Sequence, residues 1–321
     1  LGLQEFKACA WQKELLAKYG FQIEDHFCNL ETAYKAVYKG KKQGPKIAFL
    51  AEYDALPGLG HGCGHNLIAM VAVGCGIACR EFADKYGAEI DVIGTPAEET
   101  AGTKVPMSAM GVFKDYDAVM MAHPMFSNTD CFNSIAMDAY QIEFFGKPAH
   151  AANTPYEGIN ALDAMINFFN LINAMRQETK PDARIHSVIT DGGKAANIIP
   201  DYTSASFYIR ANRVADVKQL AERVRNCAAG AALATGCTYR MEYNEENFKD
   251  TVRNHVLNDL AADYLDSFTD TPLIRLGDTY TPGSSDIGDV SYEAPAVQMQ
   301  FKIGDYPNPM GGAHTPEMTA A

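Results

Sequence analysis

Lys46-Ile47-Ala48-Phe49-Leu50-Ala51-Glu52-Tyr53-Asp54, with the Gly-rich turn Gly60-His61-Gly62-Cys63-Gly64-His65-Asn66 and the apolar run that follows it, decides how this chain is read. Ile47 to Leu50 are apolar without two-fold alternation, which predicts a strand buried on both faces, as in a parallel sheet. The strand is expected over 46–53 and a long helix over about 65–86. Working outward, a helix is expected near 4–19, ending at Gly20, and a strand at 33–38. Downstream come a strand at 89–94, a short helix at 104–110 and a strand at 118–122. This strand–helix–strand order predicts a doubly wound α/β sheet.

Around residue 135 the pattern changes. Two-fold alternation marks strands at 139–145, 184–190 and 203–210, with long helices at about 158–177 and 214–234. This reads as an antiparallel sheet covered by helices on one face. The expected fold is therefore a doubly wound mixed-sheet catalytic domain, 1–135 and 246–321, with an inserted α+β lid or dimerisation domain at 136–245. The outer domain resumes with a helix at 250–268 and a strand at 296–301. The chain starts on Leu1 inside an expected helix and stops as another is expected to begin, so both ends are expected to be cut short.

Length and composition bound the function. The chain has 321 residues, 47% hydrophobic and 21% charged, which is the balance of a globular protein. Its net charge is −13, and its densest basic cluster is the turn Lys39-Gly40-Lys41-Lys42, so neither nucleic acid nor an anionic membrane is expected as a partner. The longest apolar stretch, Leu67 to Cys79, falls short of the ~18 residues that span a bilayer and suits a buried helix. No signal peptide is expected. Eight cysteines are too few for a disulfide framework here, so a reducing cytoplasm is expected.

Three expected strands run into chemically useful residues. One leads to Glu52-Tyr53-Asp54, one to Pro96-Ala97-Glu98-Glu99, and one to His123-Pro124. Ligands bind beyond the carboxyl ends of strands in open α/β sheets, so these groups should converge. Cys63 and His65 offer a thiolate and an imidazole suited to zinc or a similar metal. Each residue also has a plain reading. Cys-x-His fits a Gly-rich turn with a helix cap at Asn66 or nearby. Glu98-Glu99 fits a solvated helix start, His123 a partly buried histidine and His314 a loop residue.

Taken in order, these motifs resemble the M20 peptidase and amidohydrolase family. They are Glu52-Tyr53-Asp54-Ala55-Leu56-Pro57-Gly58, His61-Gly62-Cys63-Gly64-His65-Asn66, Pro96-Ala97-Glu98-Glu99 and Ala122-His123-Pro124. Lys147-Pro148-Ala149-His150-Ala151-Ala152, Ala196-Asn197-Ile198-Ile199-Pro200-Asp201, Gly283-Ser284-Ser285-Asp286 and Ala313-His314-Thr315-Pro316 continue the match across nearly the whole chain. The branch it resembles contains aminobenzoyl-glutamate hydrolase, auxin-conjugate hydrolases and the aminoacylase-1-like protein 2 group.

The resemblance implies a site for two divalent metal ions, zinc or manganese, held by Cys63, His65, Glu99, His123 and His314. It implies Glu98 as general base toward a metal-activated water, and Asp54 as a carboxylate that orients a metal-ligating histidine. Other branches carry His-x-Asp where this chain has Glu52-Tyr53-Asp54. His150 is implied as a donor to the scissile carbonyl, Asn197 and Arg210 as substrate-holding residues, and the segment with Ser285 as cleft lining. His150 otherwise reads as a turn histidine, and Arg210 as a charged residue at a strand end. The function expected is hydrolysis of the amide bond of small N-acyl amino acids, aminobenzoyl-glutamate-type conjugates or dipeptides, by a homodimer. Two other readings stand beside it: Cys63 as a nucleophile with His65 as its base, and a family-fold protein that binds a ligand or partner without turnover.

Overall fold

The computed structural model of the chain describes residues 1–304, His314 and Thr319. It divides into two units, Leu1–Ser134 with Thr251–Ala321, and Ile135–Asp250. The first unit begins with α1 (Phe6–Lys18), β1 (Gln22–Asp25), β2 (Tyr34–Lys39) and β3 (Lys46–Ala51). Next come α2 (His65–Ala78), α3 (Arg80–Tyr86), β4 (Glu89–Gly94), α4 (Glu98–Ala101), α5 (Lys104–Ala109), β5 (Ala118–Met125) and β6 (Asn128–Thr129). The second unit holds β7 (Ala136–Phe145), α6 (Ala161–Met175), β8 (Arg184–Asp191), β9 (Tyr202–Ala211), α7 (Val214–Thr235) and β10 (Thr238–Tyr243). The chain then returns to the first unit with α8 (His255–Phe268), β11 (Leu273–Ile274), α9 (Ile287–Ser291) and β12 (Ala296–Lys302).

Among the described residues, the sheet of the first unit has the strand order β1-β2-β4-β3-β5-β12-β6-β11. Its centre is parallel: β3 pairs with β4 and β5, and β5 with β12. One edge is antiparallel, through β2 on β4 and β1 on β2. Ala48, Leu50, Ile90, Val92 and Val119 are fully buried, which is why these strands read as unbroken apolar runs. The helical stretch 65–86 is apolar enough to cross a membrane by length and composition alone. Here it behaves as a core helix: α2 packs on β3 and β5 and buries Ile68, Ala69, Ala72 and Val73.

The second unit is a four-stranded sheet, β10-β7-β9-β8, with every pairing antiparallel. α6 and α7 pack on it and share one core with it, in which Phe144, Phe168, Phe207 and Val224 are fully buried.

Several boundaries depart from the sequence reading for physical reasons. The helix expected over 65–86 breaks at Cys79, which closes α2 and opens α3. The helix expected from 158 starts at Ala161, because the Asn160 side chain accepts the Leu162 N–H and caps it. The helix expected from 250 starts at His255, capped by Asn254 in the same way. β1, β6, β10 and β11 are strands beyond those expected from the sequence. The further helix expected at the C-terminal end falls outside the described residues.

Candidate metal centre

The parallel strands deliver their carboxyl ends to one place. β3 runs into Glu52 and Asp54, β4 through Thr95-Pro96-Ala97 into Glu98 and Glu99, and β5 carries His123. The fourth contributor is the Gly-rich turn before α2. Its N-cap is Gly64, not Asn66, with φ +75°. A Cβ there would meet Pro124 Cγ at 2.4 Å, so both conformation and space require glycine and bring Cys63 and His65 against the end of β5. His314 closes the group from the far end of the chain, its N–H donating to the Gly62 carbonyl at 2.8 Å.

Potential ligand atoms gather into three overlapping sets, Cys63–His65–His123, Cys63–Glu99–His314 and His65–Glu98–Glu99, each with its atoms within 4.8 Å of one another. Cys63 Sγ is 3.6 Å from His123 Nε2, and His314 Nε2 is 2.9 Å from Glu99 Oε1. Asp54 organises the cluster with both oxygens. Oδ1 accepts from His65 Nδ1 at 2.8 Å, and Oδ2 accepts the Glu99 N–H at 3.1 Å. With Nδ1 so engaged, His65 turns Nε2 inward. His123 Nδ1 donates to the Pro124 carbonyl at 2.8 Å, leaving its Nε2 lone pair toward Cys63.

Glu52 Oε2, His65 Nε2 and Glu99 Oε1 are buried and make no hydrogen bond; the approach of His314 to Glu99 is close but not aligned as one. Native interiors rarely leave such atoms unsatisfied. Three facing donor atoms of this kind, with a thiol and two further imidazoles, fit a divalent cation of the zinc or manganese type.

Protonation follows the same logic. Burial pushes the Cys63 thiol up to about 12, and Glu99 and Glu98 add to the rise. A thiol held protonated is a poor nucleophile, and a cation bound beside it would deprotonate it. Burial lowers His123 to about 4, so its imidazole is neutral and able to ligate. Burial also opposes charge on His65, but Glu52 and Asp54 outweigh it and raise its pKa well above the ordinary value. Glu98 is pushed well above the carboxylate range by burial and by the charges of Glu52 and Asp286. A carboxyl that holds its proton more tightly than usual suits a group that takes a proton and then passes it on.

Beneath the cluster lies a network that the motifs did not reveal. Lys104, fully buried, donates from Nζ to Glu52 Oε1 and to Asp286 Oδ1, each at 2.6 Å. Its backbone N–H donates to Asp286 Oδ2 at 3.1 Å. In sequence Lys104 only opens the short helix expected at 104–110. The pairing spans 182 residues to Asp286, so no local spacing announces it. Ser285, expected to line the cleft, is buried in the turn before α9, where its carbonyl accepts the Gly288 N–H.

The other expected substrate residues belong to the second unit. His150 is exposed, and its Nδ1 accepts from the Ala152 and Asn153 N–H groups at 3.2 and 3.1 Å. The neutral ring therefore carries its proton on Nε2, as an available donor. Asn197 lies beside it, its carbonyl accepting the Ala151 N–H at 3.0 Å, next to the His150–Ile198 bridge. Arg210 sits on β9 with its guanidinium 5.7 Å from the Tyr208 ring, and burial lowers its pKa.

Comparison with known proteins adds the following. A family model described as a peptidase dimerisation domain, of the M20 type, matches residues 137–235. The Xaa-Arg dipeptidase of Mus musculus is 36% identical over 298 residues, covering 88% of this chain and 68% of its own length. A p-aminobenzoyl-glutamate hydrolase component from Escherichia coli is 33% identical over 264 residues, covering 75% of this chain and 54% of its own. A solved Bacillus subtilis structure, described as a dinuclear metal-binding peptidase of the M20 family, superposes with a TM-score of 0.74 at 18% identity. It covers 100% of this chain and 90% of that one, a likeness of fold.

Proposed function

Because the chain belongs to the M20 family of peptidases and amidohydrolases, we propose that it is a metal-dependent hydrolase of small amides. The substrates proposed are dipeptides, N-acyl amino acids or aminobenzoyl-glutamate-type conjugates, those with a basic carboxy-terminal residue first among them. The last preference rests on the name of the 36% identical relative, an Xaa-Arg dipeptidase. The observation that carries the proposal is the overlap of the three potential ligand sets, one of which includes Glu98.

Cys63, His65, Glu99, His123 and His314 would hold two divalent ions, zinc or manganese. Bound there, such ions supply electrophilic polarisation of the substrate carbonyl and a lowered pKa for water. Glu98 takes the proton of the attacking water and delivers it to the leaving amine as the C–N bond breaks. Asp54 holds the His65 ring and the Glu99 backbone, so two ligands keep their places through turnover. His150 Nε2–H is assigned to the oxygen of the scissile carbonyl as negative charge develops on it. Arg210 is assigned to a substrate carboxylate, with Asn197 completing substrate recognition.

We also propose that a second copy of the chain pairs through the unit carrying residues 137–235. β8 is one of the two edge strands of its sheet and exposes Val188 and Ile189, the kind of edge that invites pairing.

The test is turnover of a panel of Xaa-Arg dipeptides, N-acyl amino acids and aminobenzoyl-glutamate by purified protein. It is run after chelation and again after adding zinc or manganese. Restored hydrolysis of at least one class is expected. Two bound metals per chain without turnover on any class would point to a binding protein instead.

A further inference from the structure

We propose that Glu52 is a further ligand of the metal centre, held in place by Lys104. This rests on the reading of the cluster as a metal site. Glu52 Oε2 faces His65 Nε2 at 3.4 Å, and both side chains are about 1% exposed. Neither atom makes a hydrogen bond, although His65 donates its other ring nitrogen to Asp54 at 2.8 Å. With the ring protonated the two atoms form an ion pair across this gap; a divalent cation between them would take the place of that proton. The spacing fits such an ion. Two donor atoms about 2.0–2.2 Å from one tetrahedral ion stand roughly 3.3–3.6 Å apart.

The other half of Glu52 explains how a carboxylate stays charged there. Oε1 accepts from Lys104 Nζ at 2.6 Å, and Lys104 is fixed in turn by Asp286 at the same distance. Burying these three charges is costly unless each is paired and hydrogen-bonded, and the lysine pairs two carboxylates at once. It leaves Glu52 one free oxygen, aimed at His65. Hence Glu52 offers that oxygen as a single-point ligand, and Lys104 is a positioning residue that acts through it. Glu52 Oε2 also stands within reach of the same histidine as Glu99 Oε1, which lies 3.9 Å from His65 Nε2.

The experiment loads cobalt(II) alone onto the full chain and onto Glu52→Gln, and records the visible d–d spectrum and the number of ions bound. Wild type is expected to bind two equivalents. Glu52→Gln is expected to shift the d–d bands and to weaken one of the two ions by at least about tenfold in chelator competition. An unchanged spectrum with two equivalents held equally tightly would overturn the proposal. A wild type that binds no cobalt would instead overturn the metal reading beneath it. If Glu52→Gln does not fold, a zinc-loaded wild-type crystal decides. Its anomalous peaks should place an ion within about 2.3 Å of Glu52 Oε2; a separation beyond about 3.5 Å, outside any coordination bond, would reject the assignment.

Discussion

Glu98 and Glu99 are neighbours in sequence with different work. Glu99 takes its backbone direction from Asp54 and turns an oxygen to His314, while Glu98 is the carboxyl whose pKa burial raises. Glu98→Gln is therefore expected to lower kcat by about 10²–10⁴-fold at unchanged metal content, read by steady-state kinetics alongside elemental analysis. Cys63→Ala should act differently. It removes the thiol between His123 and the Glu99–His314 set, so metal and activity should fall together. Retained metal and turnover in that variant would contradict the assignment of Cys63. At this scale the motif residues were legible because they cluster on glycine-rich or strand-end segments. Lys104 was not, nor was the pairing of Glu52 and Asp286 through it, since only the folded sheet creates it.

Two elements carry the strain and the staples. The turn before α2 needs glycine at 64, so Gly64→Ala should cost about 1–3 kcal/mol in urea unfolding and loosen metal binding with it. Toward one edge of the sheet, Asp130 follows β6 and ties it to the segment around 276 and to Arg253, just before α8. Oδ1 accepts the Leu276 N–H, and Oδ2 accepts from Arg253, both at 2.8 Å. Burial opposes its charge, but those bonds prevail and hold its pKa below the ordinary value. Its stabilisation is therefore in place above the unfolded carboxylate pKa of about 4 and is lost as pH falls through the lower folded value. Asp130→Asn should cost about 3–5 kcal/mol at neutral pH and flatten the acid limb of the stability curve, measured by denaturation between about pH 3 and 7. The long elements were readable because burial imposes their periodicity. β1 was not, since its residues lie mostly exposed and carry no alternation. β10 does alternate, with Met241 buried between exposed neighbours, but only two residues separate it from the end of α7.

For the molecule as a whole, the open edge of β8 sets the expected assembly. Val188→Lys places a charge on that edge and should shift a dimer toward monomer in sedimentation without changing the metal content of the chain. An unaltered dimer would send the interface to another surface. The division into two units has a consequence for synthesis. The inserted unit is contiguous in sequence, whereas the unit around it is interrupted. On the ribosome the inserted sheet can close as soon as its own residues emerge. The centre cannot, because His314 follows His123 by roughly 190 residues. A nascent chain thus carries Cys63, His65 and His123 in a half-built sheet while its neighbour is already complete. Cotranslational metal capture would have to begin with those three and finish only when the last imidazole arrives.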